Sequence, residues 1–161
     1  MTKIICSKGS WSRPVEDMRC SSTIALVTGG SEWGPLQSVE VYGTNLSYYL
    51  PDLNQGYRYH SCDFIEGDVL ICEGISASGY CNYLTSNMTW AMHSNFTQAR
   101  DGHSSAVMMG RLHVMGGYFF PNSSELLGPE DGLGWKTGQD LATESMLGCA
   151  VKIDLEVFLT I

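Results

Sequence analysis

The residues of this chain with the means to do chemistry are four histidines (His60, His93, His103, His113), six cysteines (Cys6, Cys20, Cys62, Cys72, Cys81, Cys149) and the arginine Arg100. A metal centre needs histidines that converge, and a nucleophilic thiol needs a histidine or a cationic cluster travelling with it. The sequence offers neither pattern. No two cysteines stand in the C-x-x-C spacing of zinc or redox sites. His60 and His103 instead occupy matching places: each precedes a serine and lies 13 residues ahead of a glycine-bearing doublet, Glu73-Gly74 or Gly116-Gly117. Equivalent residues in separate units are expected to be structural, each imidazole hydrogen-bonding a neighbouring strand or loop, with Arg100 in the same kind of network. No catalytic residue, metal site or cofactor is expected, and the weight of the functional question shifts from buried chemistry to loops.

The elements that position these residues repeat. Gly29-Gly30, Glu73-Gly74 and Gly116-Gly117 each close an apolar run, at steps of 44 and 43 residues. A fixed period of that length signals repeated supersecondary units. In the best-preserved unit, Ser104 to Met109, a Gly110-Arg111 turn and Leu112 to Met115 predict a hairpin. His60 to Ile65, a turn at Glu66-Gly67-Asp68 and Val69 to Cys72 predict another, while the first unit keeps only Ile24 to Thr28 clearly. A third strand follows each variable loop, at Ser38 to Tyr42 and at Tyr80 to Leu84. A bulky aromatic comes next at a fixed offset: Tyr49 seven after Tyr42, Trp90 seven after Tyr83, and Trp135 in the third unit. Trp90 and Trp135 are expected to pack between units.

The chain has 161 residues, a formal charge of −8 and a pI near 4.8, which argues against nucleic acid or an anionic membrane surface as a partner. No apolar run approaches a membrane span, so no membrane insertion is expected in this segment. Met1 to Cys6 lack a signal-peptide core, and the N-terminus is expected not to be the natural one. An even cysteine count and four sequons, at Asn45, Asn87, Asn95 and Asn122, point to an oxidising, glycosylating compartment. With six asparagines in the chain, chance predicts about one sequon. Cys62 and Cys72 are equidistant from Gly67, and Cys72 and Cys81 are nearly symmetric about Ser76-Ala77. One disulfide among Cys62, Cys72 and Cys81 is therefore expected, its pairing open.

These residues resemble the kelch repeat, with its diglycine after an apolar strand, its Tyr and Trp about seven apart, and its Arg-x-x-His. Gly29-Gly30, Tyr83/Trp90, Arg100/His103 and Gly116-Gly117 carry the match. Glu73 for a glycine, Tyr49 for the tryptophan and Tyr57-x-x-His60 depart from it. The resemblance implies an all-β, kelch-type β-propeller, incomplete, with three nearly complete four-stranded blades (units 14–55, 56–97 and 98–142) and partial blades at both ends. Trp11 reads as the end of an earlier blade and residues 143–161 as the opening of a later one. The count fits a segment of a longer propeller better than a four-bladed ring closed by the N-terminal strand. Sequence similarity between units collapses in the loops after the doublets, where Trp33 and Tyr118-Phe119-Phe120 are candidate anchors for a partner. The implied function is a non-catalytic module that binds a protein partner, extracellular or in the secretory pathway. Its alternative is a cytoplasmic kelch receptor for a ubiquitin ligase or an actin binder. A kelch-like oxidase or isomerase ranks below both: a copper oxidase would need a Tyr-Cys cross-link, and Tyr80 and Cys81 point to opposite faces of a strand.

Overall fold

A computed structural model describes residues 2–6, 24–30, 33–43, 46–72, 74, 79–128, 134–150 and 152. The described residues are all-β. Twelve strands run in order: β1 (Thr2–Cys6), β2 (Ile24–Thr28), β3 (Val39–Gly43), β4 (Leu46–Leu50), β5 (Ser61–Ile65), β6 (Asp68–Cys72), β7 (Tyr80–Leu84), β8 (Trp90–Asn95), β9 (Ser104–Met108), β10 (Arg111–Met115), β11 (Ser124–Leu127) and β12 (Lys136–Thr137). They form three four-stranded antiparallel sheets, β1-β2-β3-β4, β5-β6-β7-β8 and β9-β10-β11-β12, with sequential strands always adjacent. No helix long and apolar enough to cross a membrane is present among the described residues.

Local chemistry accounts for the hairpins. Glu66 and Gly67 sit at φ 53° and 99°, Met109 and Gly110 at 52° and 72°. Two successive positive-φ residues make a two-residue turn whose twist matches that of the strands it joins. The turn is thus one residue shorter than the expected Glu66-Gly67-Asp68, and the register moves with it. Cys62 lies opposite Ile71, and Ser61 opposite Cys72. Cys62 therefore cannot face Cys72. Cys72 lies opposite Cys81, with the Cα atoms 4.1 Å apart, and these two form the disulfide.

Two other boundaries differ from expectation. The first sheet takes β1 as its outer strand, Ile4 opposite Leu26, so it begins ahead of residue 14, and the N-terminal strand belongs to the first sheet rather than closing the last. The Tyr42/Tyr49 spacing is off by one residue. Val39 and Val41 are the buried residues of β3, and Tyr48 lies opposite Val41 and packs on the core. Tyr42 and Tyr49 fall on the outward face, 61% and 73% exposed. A one-residue slip in a strand exchanges faces. Trp11 and the run Val157 to Ile161 lie outside the described residues.

The sheets stack face to face. Leu26, Val39 and Val41 of the first sheet meet Cys62, Val69, Ile71, Leu84 and Trp90 of the second. On the opposite face, Leu70, Cys72 and Cys81 of the second sheet meet Leu112, Val114 and Leu127 of the third. Val69 to Cys72 are accordingly all buried, because β6 is covered on both sides. The expected packing of the tryptophans holds: Trp90 Nε1 donates to Pro51 O (3.0 Å), beyond the first sheet, and Trp135 Nε1 to Ser94 Oγ of the second (2.9 Å). At the other margin the first strands come together, β1 against β5 and β5 against β9.

Candidate functional site at the loop end

Backbone hydrogen bonds join the connections at one end of the sheets into a continuous ladder. Gly30 N donates to Tyr57 O (2.8 Å) and Gly117 N to Ser145 O (2.9 Å), so the first and third doublets dock on the connections that follow their sheets. The connections also bond to one another: Gly102 N donates to Tyr59 O (3.2 Å), and Leu147 N to Gly102 O (2.7 Å). Tyr59, Gly102 and Leu147 all have left-handed φ, at 54°, 65° and 52°. The glycines of the doublets are required by close approach. A Cβ on Gly116 would stand 2.3 Å from Ser145 O, and one on Gly29 2.7 Å from Tyr57 O.

This ladder presents three of the four expected anchors to solvent. Trp33 is 98% exposed, Phe119 71% and Tyr118 46%. Phe120 folds back, its ring 6.0 Å from the Arg100 guanidinium carbon, and is a support rather than an anchor. Tyr118 and Leu147 both abut Gly102, so the surface around Phe119 extends onto the next connection. Leu147 and the half-exposed Tyr59 were not singled out from the sequence, although continuing the 43–45-residue step from Tyr59 through Gly102 reaches Leu147. The loop between Gly74 and Gly79 lies outside the described residues, as does Asn45. Asn87, Asn95 and Asn122 are exposed.

Beneath the loops the polar residues are committed to structure. Arg100 is buried and donates to Gly116 O (2.9 Å), Ser123 O (3.0 Å) and Ser123 Oγ (2.8 Å), and forms an ion pair with Glu125 at 3.2 Å. Glu125 also accepts from Thr97 N, Thr97 Oγ1 and Gln98 N. His60 Nε2 hydrogen-bonds Thr28 Oγ1 (2.9 Å), and His103 Nε2 hydrogen-bonds Ser61 Oγ (3.0 Å), each histidine tying its connection to the preceding sheet. Burial pushes His60 down to about 4 and His103 to about 3, the charge of Arg100 adding to the push on His103, so both are neutral imidazoles at pH 7. Among the described residues, no three His, Cys, Asp or Glu side chains gather as a metal set. Cys81 spends its sulfur on Cys72 and is not free to cross-link a tyrosine. The Cys62 thiol is buried and pushed up by that burial, which makes it a poor nucleophile.

A cleft of about 370 Å³ opens where the first strands meet, lined by His60 to Asp63 of one, His103 to Ser105 of the next, and Gly148 to Ala150. Asp63 stands in it. Its Oδ2 accepts from Ser105 Oγ at 2.5 Å, and burial raises its carboxyl to about 6. Sequence reasoning passed over Asp63, although a carboxylate inside the apolar run Cys62-Asp63-Phe64-Ile65 is a local rule broken.

No family model and no curated protein matches this chain. By structure it is similar to 77 chains of solved structures. One of them, titled "Structure of YjhT", superposes with a TM-score of 0.54 at 15% identity, covering 80% of this chain and 50% of that one. The chain spans about half the length of that protein, and at this identity the similarity is one of fold.

Proposed function

We propose that the three sheets are blades of a kelch-type β-propeller segment, and that the chain is a non-catalytic module that holds a protein partner against its loop end, outside the cell. Three things support the propeller reading. The sheets are four-stranded meanders repeated in one direction. Their first strands converge with small polar residues between them, whereas Trp90 and Trp135 fill the gap nearer the fourth strands, as a wedge requires. The residues of the kelch resemblance sit where repeated packing uses them: Gly29 and Gly116 at close backbone approaches, Arg100 and His103 in buried networks.

The observation that carries the binding reading is the exposure of Trp33 and Phe119, 98% and 71%, on loops whose bases are stapled by backbone hydrogen bonds. Large apolar side chains held rigidly in water supply contact area at low entropic cost. The Cys72–Cys81 disulfide and the exposed sequons Asn87 and Asn95 support an extracellular setting over the cytoplasmic alternative.

The test is alanine substitution. Trp33→Ala and Phe119→Ala are each expected to weaken a partner captured from extracellular fluid by tenfold or more, with thermal stability within about 0.5 kcal/mol of the parent. Parent-like binding by both variants would remove the loop end as the recognition face.

A further inference from the structure

Asp63 is the one departure from the repeat that the architecture does not explain. By strand register it lies opposite Leu70, in the place that Ile4 holds opposite Leu26 in the first sheet and Ala106 opposite His113 in the third. The fold accepts an isoleucine and an alanine at this position, so nothing in the packing plan demands an acid. Among the described residues the carboxylate has one hydrogen bond, from Ser105, and no cation; the one ion pair there is Arg100–Glu125. A carboxylate offers about four lone-pair sites, and Ser105 meets only one of them. The side chain is turned into an open cleft, beside the hydroxyls of Ser61 and Ser104 and below the exposed loops. Among the side chains that line the cleft, His60 and His103 are neutral imidazoles and leave Asp63 without a lining counter-charge, while the N-terminal amine and Arg100 act on those histidines from outside it.

We propose that the cleft between β5 and β9 is a pocket for a cationic side chain, an arginine or lysine of the protein partner, with the Asp63 carboxylate as counter-charge. This rests on the partner-binding reading and adds the chemistry of the partner: a protruding basic residue flanked by apolar surface, the first for the cleft and the second for Tyr118 and Phe119. The formal charge of −8 draws such a partner in from a distance. An arginine uses the pocket more fully, since its planar fork of donors reaches a carboxylate and hydroxyls at once.

The experiment needs no partner. The chain, with its aspartate carboxyl carbons labelled with 13C, is titrated with N-acetyl-arginine methylamide and, at matched ionic strength, with the neutral isostere N-acetyl-citrulline methylamide. The Asp63 signal is assigned by its loss in Asp63→Asn. The arginine compound is expected to move that signal saturably and to lower its titration midpoint by half a pH unit or more, while the citrulline compound leaves both unchanged. An equal response to the two compounds, or none to either, overturns the proposal. Ser105→Ala keeps the charge and removes its only donor, so it is expected to bind the cation at least as well as the parent. Weaker binding by that variant counts against Asp63 as the counter-charge. The loop-end reading is judged separately by Trp33 and Phe119, so the two fail independently.

Discussion

The connection that leads into the second sheet and the one that leads into the third make the same join with opposite chemistry. In the first, the buried Tyr57 lies three residues before His60 and takes a hydrogen bond on its hydroxyl from Asn82 of β7, with Gln55 beside it. In the second, the buried Arg100 lies three residues before His103 and pairs with Glu125 of β11, with Gln98 beside it. Strand register makes Asn82 and Glu125 equivalent: Asn82 follows the residue opposite Cys72, and Glu125 the residue opposite Met115. A neutral pair and an ionic pair therefore fill one architectural slot. The ionic version reaches further, for Arg100 also gathers Gly116 O and Ser123 O and supports Phe120, so it fixes the loop that displays Tyr118 and Phe119. A buried ion pair is no better than a well-packed neutral one for stability alone. Its presence at this join goes with the need to hold a long aromatic loop in place.

The sharpest way to break the comparison is to remove one partner. Arg100→Ala leaves Glu125 charged and buried, and is expected to cost about 3–5 kcal/mol in urea unfolding. Arg100→Tyr with Glu125→Asn transplants the neutral pair from the other join. It is expected to recover stability to within about 1–2 kcal/mol of the parent, because both partners then satisfy each other without charge. A double variant as unstable as Arg100→Ala would mean that the slots are not equivalent.

Acid acts on both joins at once. The folded-state values of His60 and His103, about 4 and about 3, lie below the ordinary 6.5, so between those limits the unfolded chain binds more protons and stability falls as pH falls. Asp63 works the other way. At about 6 its folded value lies above the ordinary one, so the folded chain binds its proton first and gains stability as pH drops from about 7 to 4. Each proton taken up by only one of the two states changes stability by about 1.4 kcal/mol per pH unit. On that scale the two histidines outweigh the aspartate, and these three groups together are expected to cost about 3 kcal/mol between pH 7 and 4.5. Asp63→Asn removes the opposing contribution. It is expected to be more stable than the parent at pH 7 and to lose more on acidification. A parent whose stability is flat over that range would show that the imidazoles are not held neutral.

Much of this organisation was legible in the residues. The hairpins, the glycine doublets and the buried tryptophans follow from period-two alternation and from turn residues with few alternatives, and Ile24–Thr28 and Tyr80–Leu84 appear with the expected ends. What was not legible depended on one-residue or long-range facts. The disulfide partner turned on whether the β5–β6 turn holds two residues or three. The inward-facing tyrosine of β4 turned on which of Tyr48 and Tyr49 shares a face with Val41. The pairing of β1 with β2 spans residues 7–23, across which no local rule sets a register. Asp63 escaped notice for a different reason: its meaning comes from the isoleucine and alanine at equivalent places, and those equivalences exist only once the strands are paired.

The smallest expected effect tests the neutral side of the comparison. Tyr57→Phe keeps the buried ring and removes the hydroxyl that accepts from Asn82 and Gln55. Asn82, itself buried, is left with an amide lacking that acceptor, and the expected cost is about 1–2 kcal/mol, well short of that for Arg100→Ala. The contrast is sharpened by Tyr57→Phe with Asn82→Leu. Replacing both polar partners by apolar groups of similar shape removes the unmet Asn82 amide along with the hydroxyl, and the exposed Gln55 can turn to water, so the double variant should recover most of the loss in urea unfolding. The parallel change at the other join, Arg100→Met with Glu125→Leu, would also take their side-chain partners from Thr97 N, Gln98 N and Gly116 O, and leave Ser123 O with Gly116 N alone; apolar replacement cannot repair those losses. Equal recovery at both joins would show that Arg100 and Glu125 serve only each other; unequal recovery assigns the difference to the backbone groups that the ionic pair alone holds.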